Sequence, residues 1–294
     1  MRKSVSILGA GRVGQSIARL LSMKGYRIEH LVCRSMEHAQ KAALFVGAGS
    51  ASTAILDVLS SELVFITTPD DQIEAMGAML ADSGRLRSSH TLIHCSGALS
   101  IDSLQAAGAC GAKVMSIHPM QAVASAESGV ALLSGSYFGI EAQTEDLAQA
   151  RSLVKDLGGT PVELHPGMKS LYHAGAVFAS NYVVVLLGMA TDILEAAGVH
   201  REAAVQGLVA LAAGAVRNVK DTGLPHALTG PIERGDFNTV SKHLAALMDN
   251  PEFMSVYKAL GEYAARMAME KRPQKKARID TLVSLLSAVG VRKG

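Results

Sequence analysis

The feature that most constrains this chain is the stretch "SILGAGRVGQSIARLL", Ser6 to Leu21. An apolar run from Val5 to Leu8 leads into glycines at 9, 11 and 14, and a helix-like segment follows. Gly9 permits a tight turn, Gly11 lets backbone come close to a pyrophosphate, and Gly14 allows close packing of helix on strand. The helix N-terminus adds free N–H groups and a favourable dipole. In this strand–turn–helix context G-x-G-x-x-G is a dinucleotide cradle, with Gly9, Gly11, Arg12, Val13 and Gly14 as its candidate residues. The unit commits the start of the chain to a parallel α/β sheet.

The rest of the first half fits that commitment. Val5–Leu8, Ile28–Cys33, Leu63–Thr67, Thr91–Cys95, Lys113–Ile117, Tyr137–Glu141 and Thr160–Leu164 read as strands. Several are continuous apolar runs, as in sheets covered on both faces. Helix-like segments Gly14–Met23, Ser35–Leu44, Thr53–Leu59, Asp71–Ala81, Ser100–Ala107 and Thr144–Leu157 alternate with them. Beyond "HPG" (165–167) nothing reads as a strand, and Met168–Ala197, Arg201–Asp221, Thr239–Met248, Pro251–Lys271 and Gln274–Val289 have helical periodicity. The expected fold class is α/β: a doubly wound, Rossmann-like parallel sheet over 1–165, then an all-helical substrate and dimerisation domain over 166–294.

Composition narrows the functional classes. Of 294 residues 49% are hydrophobic and 18% charged, which is globular, and a net charge of +2 is too mild for a nucleic-acid partner. The basic run "KRPQKKAR" (271–278) has no interleaved aromatics and reads as a solvated face. Cys33, Cys95 and Cys110 show no paired spacing, which suits a reducing cytoplasm and excludes a disulfide framework. Polar residues interrupt the first apolar run too early for a signal peptide. The charge-free stretch 174–191 would rise about 27 Å as a helix, but Ser180, Asn181 and Tyr182 stand in its middle. It is expected to be a buried core helix rather than a membrane span.

Cofactor choice rests on the end of the second strand. An NAD site places an acidic residue about 20 positions after the last glycine, to accept from the ribose 2′-hydroxyl. Here that position is Arg34, followed by Ser35. A guanidinium pairs with a 2′-phosphate instead, with Arg12 as a second cation, so NADP(H) is expected.

Three later strands end in "TTPDD" (67–71), "HCSGAL" (94–99) and "HPM" (118–120). Ligands of doubly wound sheets bind outside the carboxyl ends of strands. Thr67, Thr68 and Pro69 are therefore expected to border the cofactor, and Ser96 and Gly97 its nicotinamide end. His118 is a candidate for moving a proton near neutral pH, or else a structural histidine before a turn proline. His94, Cys95 and His118 match no metal-ligand spacing, and no metal is expected.

In the second half "MKSLYHAGAVFASN" puts Lys169 and His173 four residues apart on one helix face, with Asn181 about 80° further round. A lysine, an imidazole and an amide on one cleft suit the protonation or orientation of a carbonyl-derived oxygen. The bland reading is a solvated Lys169 and a core His173. The loop "LTGPIERGD" (228–236) offers Thr229 and an Arg234 able to clamp an anion, while Asp236 can N-cap the next helix.

Taken together, GAGRVG, TTPDD, HCSGAL, HPM and TGPIERGD resemble the family that joins a Rossmann-like NADP-binding domain to a helical DUF2520 domain. More distantly the chain is similar to 6-phosphogluconate, 3-hydroxyacid and prephenate dehydrogenases, pyrroline-5-carboxylate reductases and deazaflavin-dependent NADP reductases. Hydroxyacid relatives use Lys-x-x-x-Asn on the first helix after the Rossmann domain. This chain has Lys169-x-x-x-His173, so only a polar pair is carried over. The resemblance implies a homodimer built through the helical domains. The expectation is a cytoplasmic NADP(H)-dependent oxidoreductase of a small polar metabolite, with Lys169, His173 and His118 as proton-transfer or orienting groups and Asn181, Thr229 and Arg234 on the substrate. The alternatives are a non-catalytic NADP(H)-responsive binding protein and a deazaflavin-linked NADP reductase.

Overall fold

A computed structural model describes residues 3–288. The chain divides into two compact units, the first ending at Asn181 and the second beginning at Tyr182. In the first, β1 (Ser4–Leu8), β2 (Arg27–Val32), β3 (Ser50–Ser52), β4 (Leu63–Ile66), β5 (Thr91–His94), β6 (Lys113–Pro119), β7 (Tyr137–Ala142) and β8 (Thr160–Glu163) form one sheet in the order 3-2-1-4-5-6-7-8. Strand order reverses between β1 and β4, the topological switch point of a Rossmann sheet. Because strand residues alternate in direction, Leu63 and Phe65 enter one apolar cluster while Val64 and Ile66 enter another. The near-continuous apolar strands are thus explained by burial on both faces.

Helices α1 (Arg12–Met23), α2 (Met36–Val46), α3 (Asp70–Asp82), α4 (Gln105–Ala109), α5 (Ala126–Leu133) and α6 (Leu147–Asp156) occur between the strands. The expected helices at 53–59 and 100–107 are in large part 3₁₀ turns, Ile55–Ser60 and Ile101–Leu104. Two elements of this unit were not expected. One is the three-residue β3. The other is α5, whose Gly and Ser content hides it; Ser125 and Ser128 form a capping box, and Gly129 lets α1 approach closely enough for Ser16 to donate to the Ala126 carbonyl at 3.0 Å. The sheet also departs from a wholly parallel one, since β7 runs antiparallel to β6. The intervening α5 packs on α1 instead of recrossing the sheet, so the chain re-enters from the end it left.

The first unit closes with α7 (Lys169–Ala179). The expected single helix over 168–197 is broken at Ser180 (φ −128°, ψ −76°), and α8 (Asn181–Ala196) starts afresh. The second unit is helical: α9 (Arg201–Thr222), α10 (Pro231–Arg234), α11 (Phe237–Ala246), α12 (Pro251–Lys271) and α13 (Lys276–Ala288). The last expected helix runs on to Val289, which lies outside the described residues. Its core joins Val240, Leu244, Met254, Leu282 and Leu286. Part of the basic run is pinned rather than solvated, since Lys271 donates to the Leu228 carbonyl at 2.7 Å and Arg272 pairs with buried Glu233.

The expectation of a buried core helix at 174–191 is corrected. Thr191 is the one buried residue of α8, and Val184 is 71% exposed. The stretch Lys169–Ala196 is long and apolar enough to cross a membrane by length and composition. Its first turn, however, is fixed in the first unit by the buried Lys169, described next. That leaves α8 with 16 residues, about 24 Å of rise against a hydrocarbon core of about 30 Å.

Candidate active site

The glycine turn has the form a pyrophosphate needs. Gly9 sits at φ +86°, and its N–H donates to the Val32 carbonyl at 2.8 Å. Thr67 holds the Gly9 carbonyl at 2.8 Å, and a Cβ on Gly14 would collide with Thr67 and Ile7. Gly14 is therefore spent on bringing α1 against β1. At Gly11, by contrast, a Cβ would meet only the Gly9 carbonyl oxygen, at 3.8 Å. Gly11 is also the N-cap of α1 and supplies no side-chain cap. Space thus coincides with the start of α1, where a helix has N–H groups without intrahelical acceptors, and the nearby Thr68 hydroxyl is buried without a partner among the described residues. These residues fit a dinucleotide diphosphate. Val13 lies in the first turn of the same helix, and Pro69 is the N-cap of α3.

Arg34 is exposed after β2 and makes no ion pair with any described residue. Ser35 is occupied as the N-cap of α2, accepting from the His38 N–H at 3.3 Å and contacting its Nδ1 at 3.0 Å. Arg12 is turned to the Ala124 carbonyl at 3.2 Å. Of the three residues expected around a 2′-phosphate, Arg34 alone is uncommitted.

Beyond β5 the loop is held by its own side chains. Ser96 donates to Asp70 at 2.6 Å and accepts from the Ala98 and Leu99 N–H groups, so its hydroxyl is consumed inside the loop. His94 is fully buried; its Nδ1 accepts from the Ser96 N–H, which puts its proton on Nε2, facing the Ser100 carbonyl at 3.2 Å. Both nitrogens are committed, and burial together with the Lys169 charge lowers its pKa to about 3. Neighbouring Cys95 is pushed up to about 12 by burial.

From α7, Lys169 reaches this region and is 2% exposed. Its ammonium donates to the Ser96 carbonyl at 2.8 Å and to Ser116 Oγ at 2.7 Å. Burial lowers its pKa to about 8, against the opposing pull of Glu141, Cys95 and Asp70. It is neither the solvated residue of the bland reading nor a wall of the adjoining cavity.

That cavity, about 860 Å³, is lined by His118, Tyr172, His173, Asn181 and the segment 119–124. Helical spacing places Tyr172 and His173 on it, and β6 brings His118 to it from the carboxyl end of the strand. His118 and His173 meet edge to face at 5.8 Å, and His118 and Tyr172 at 5.6 Å. The sequence analysis does not single out Tyr172; its adjacency to His173 is the one signal the sequence holds. Burial, Lys169 and His173 lower the pKa of His118 to about 4, so its imidazole is neutral at pH 7. The pair of histidines and the amide of Asn181 thus share one cavity, with the Lys169 charge beneath it. Thr229 and Arg234 belong to the second unit. Both are exposed there, Arg234 lining a separate hollow with Arg278, and Asp236 caps α11 by accepting from the Thr239 N–H at 3.1 Å. Among the described residues no cluster of His, Cys, Asp and Glu could hold a metal ion.

A Rossmann-type dinucleotide fold with a cavity holding two imidazoles at the carboxyl end of β6 is the class these features define. Family models agree: a Rossmann-like domain matches residues 1–119, and a domain of unknown function, DUF2520, matches 136–264. The chain thus carries both domains, one after the other. Comparison with curated protein sequences gives no match. Among solved structures it is similar to a Bacteroides fragilis protein assigned as an NADP oxidoreductase (22% identity, 90% of this chain and 98% of the other, TM-score 0.71). It is also similar to a Thermotoga maritima protein (22%, 91% and 99%, TM-score 0.72) and to the NADP-bound pyrroline carboxylate reductase of Plasmodium falciparum (16%, 94% and 98%, TM-score 0.60). At these identities the likeness is one of fold.

Proposed function

We propose that this protein is an NADP(H)-dependent oxidoreductase acting on a small polar metabolite. The observation that carries the reading is the pairing of an open Gly11 turn with a cavity walled by two imidazoles, all at the carboxyl ends of strands of one sheet. The dinucleotide supplies or accepts a hydride when bound. Gly9, Gly11 and the first turn of α1 hold its diphosphate, and Arg34 pairs with its 2′-phosphate. His118 and His173 face the reacting atom and between them hold it and its proton, and Asn181 orients the substrate. Lys169 touches neither; it is a positioning residue that fixes the Ser96 carbonyl, and its charge adds to burial in keeping His118 neutral. The NADP-bound reductase of similar fold is in keeping with this reading.

A second copy of the chain is the proposed partner, through the helical unit. Helices of 16 and 22 residues with one buried residue each, Thr191 and Ala204, do not hold without packing, and a homodimer supplies it. We place the protein in the cytoplasm, with no membrane or nucleic-acid partner.

Fluorescence titration with NADPH and NADH, followed by NADPH oxidation across a panel of small carbonyl compounds and imines, tests the function. Binding of NADPH at least tenfold tighter than NADH, with turnover of some panel member that His173→Ala abolishes, is expected. Tight NADPH binding with no turnover would favour the non-catalytic alternative, and turnover only with a deazaflavin the other.

A further inference from the structure

Two glycines in the first unit are occupied by side chains of α7 and β6 rather than by turns. A Cβ on Gly97 would collide with Nδ1 of His173 and lie 2.9 Å from Nε2 of His118. Both ring edges therefore converge on one spot above the Gly97 backbone. A Cβ on Gly139 would lie 2.7 Å from the Tyr172 hydroxyl. Gly139 is the cross-strand partner of His118, and this register brings the phenol to 3.0 Å from His118 Nδ1. The polar atoms leave one gap: His173 Nδ1 is buried with no partner among the described residues. A buried nitrogen without a partner, beside a second ring nitrogen aimed at the same place, is the mark of a site completed by a ligand atom.

We propose that Tyr172, His118 and His173 form a two-point site for the oxygen of a carbonyl or secondary-alcohol substrate, with Tyr172 as the residue that sets the tautomer of His118. This rests on the oxidoreductase reading above. In this site the phenol O–H lies against Gly139 and donates to His118 Nδ1, 3.0 Å away. Neutral His118 then carries its own proton on Nε2, pointing over Gly97. His173 Nδ1 is the complementary acceptor. On oxidation of an alcohol the O–H bond breaks and its proton passes to His173 Nδ1. His118 keeps its proton and donates a hydrogen bond to the same oxygen; the hydride that leaves as the carbon becomes the carbonyl carbon would be taken up by NADP⁺ when bound. Reduction reverses each transfer. The site favours oxygen on steric grounds. A carbonyl or hydroxyl oxygen is terminal and enters between two ring edges, whereas a cyclic imine nitrogen carries carbon on both sides.

Side-chain ¹⁵N NMR of the histidines in the free protein reads the tautomer without any turnover. The wild type is expected to show His118 protonated on Nε2 with Nδ1 accepting. Tyr172→Phe should give a mixture of tautomers, lower kcat/KM roughly 10–100-fold and leave NADPH affinity unchanged. With NADPH, turnover is expected for 2-oxo acids or aldehydes and not for pyrroline-5-carboxylate. A His118 protonated on Nδ1 in the wild type, or a tautomer unaltered in Tyr172→Phe, would overturn the role of Tyr172. Should that variant not fold, the wild-type spectrum decides alone. Turnover confined to the imine would overturn the oxygen site. If NADPH does not bind the wild type, the oxidoreductase reading fails, whereas the tautomer result stands or falls on the spectrum.

Discussion

The ammonium of Lys169 donates to Ser116 Oγ at 2.7 Å from a position 2% exposed, so α7 is tied to β6 by a charge taken out of water. Burial lowers its pKa from 10.5 to about 8. Between those values the unfolded chain holds the proton more often than the folded one, so stability rises as pH increases from 8 to 10.5. The upper bound on that rise is on the order of 3 kcal/mol. Urea denaturation between pH 8 and 9 should show a midpoint that rises in the wild type relative to Lys169→Met; above pH 9 the buried Cys95 thiol, whose pKa is raised, opposes the rise in both proteins.

His94 gives the opposite flank. Its folded pKa, lowered from 6.5 to about 3 chiefly by burial, means the unfolded chain binds the proton first as pH falls. Stability is fully present above pH 6.5 and is lost progressively toward pH 3. His118, lowered to about 4, acts in the same direction over a narrower window. In His94→Gln the neutral-pH stability should drop by about 1–3 kcal/mol, because the Ser96 N–H and the Ser100 carbonyl lose well-placed partners. The fall between pH 6.5 and 4 should become shallower, as read by thermal unfolding across that range.

The roles of Gly11 and Gly14 in the glycine turn separate cleanly. Gly11→Ala adds a methyl to open space at φ −78°, which alanine adopts, so the melting temperature should change little. That methyl stands where a diphosphate must approach, so NADPH affinity should fall by about 10²-fold or more. Gly14→Ala instead drives a methyl into Thr67 and Ile7 and should cost about 1–3 kcal/mol of stability. Titration and calorimetry on the same two variants check both halves.

Much of this architecture is legible in the sequence because the first unit follows local rules. Apolar strands, glycine turns and amphipathic helices each announce themselves, and β1, α1, α3 and α12 lie within two residues of their expected bounds. The misses share a cause. The strand β3 and the helix α5 are stabilised by neighbours, not by propensity, and α8 fails to be a core helix because burial within one chain cannot be read from apolarity. In the site, helical spacing put Lys169, His173 and Asn181 on related faces. It could not show that Lys169 points beneath the cavity or that Ser96 is consumed by Asp70. The link from Tyr172 to His118 runs through the pairing of β6 with β7, a relation between strands and invisible to any local pattern.

Arg34 tests the cofactor. It is exposed, free of ion pairs among the described residues, and twenty positions after Gly14. A guanidinium–phosphate pair at a partly exposed site contributes about 1–3 kcal/mol. Arg34→Ala should therefore weaken NADPH by about 10–100-fold and leave NADH nearly unchanged, with Arg34→Asp shifting preference toward NADH. Equal losses for both dinucleotides would show that Arg34 does not meet the 2′-phosphate.

The helical unit makes the last prediction. Val184 and Val185 on α8 are 71% and 53% exposed, and Leu211 and Val216 on α9 are 71% and 66% exposed. Apolar surface of that extent on two long helices is stabilised by removal from water at about 25 cal/mol per Å². In a homodimer a carboxylate at such a position would be buried without a partner, which costs several kcal/mol at the interface. Light scattering should give the wild type a mass near twice that of the 30.7 kDa chain. Val184→Glu should shift it to the monomer at micromolar concentration while the Rossmann-type unit keeps its NADPH binding. A monomeric wild type, or a dimer indifferent to Val184→Glu and Leu211→Glu together, would show that these helices are not the interface.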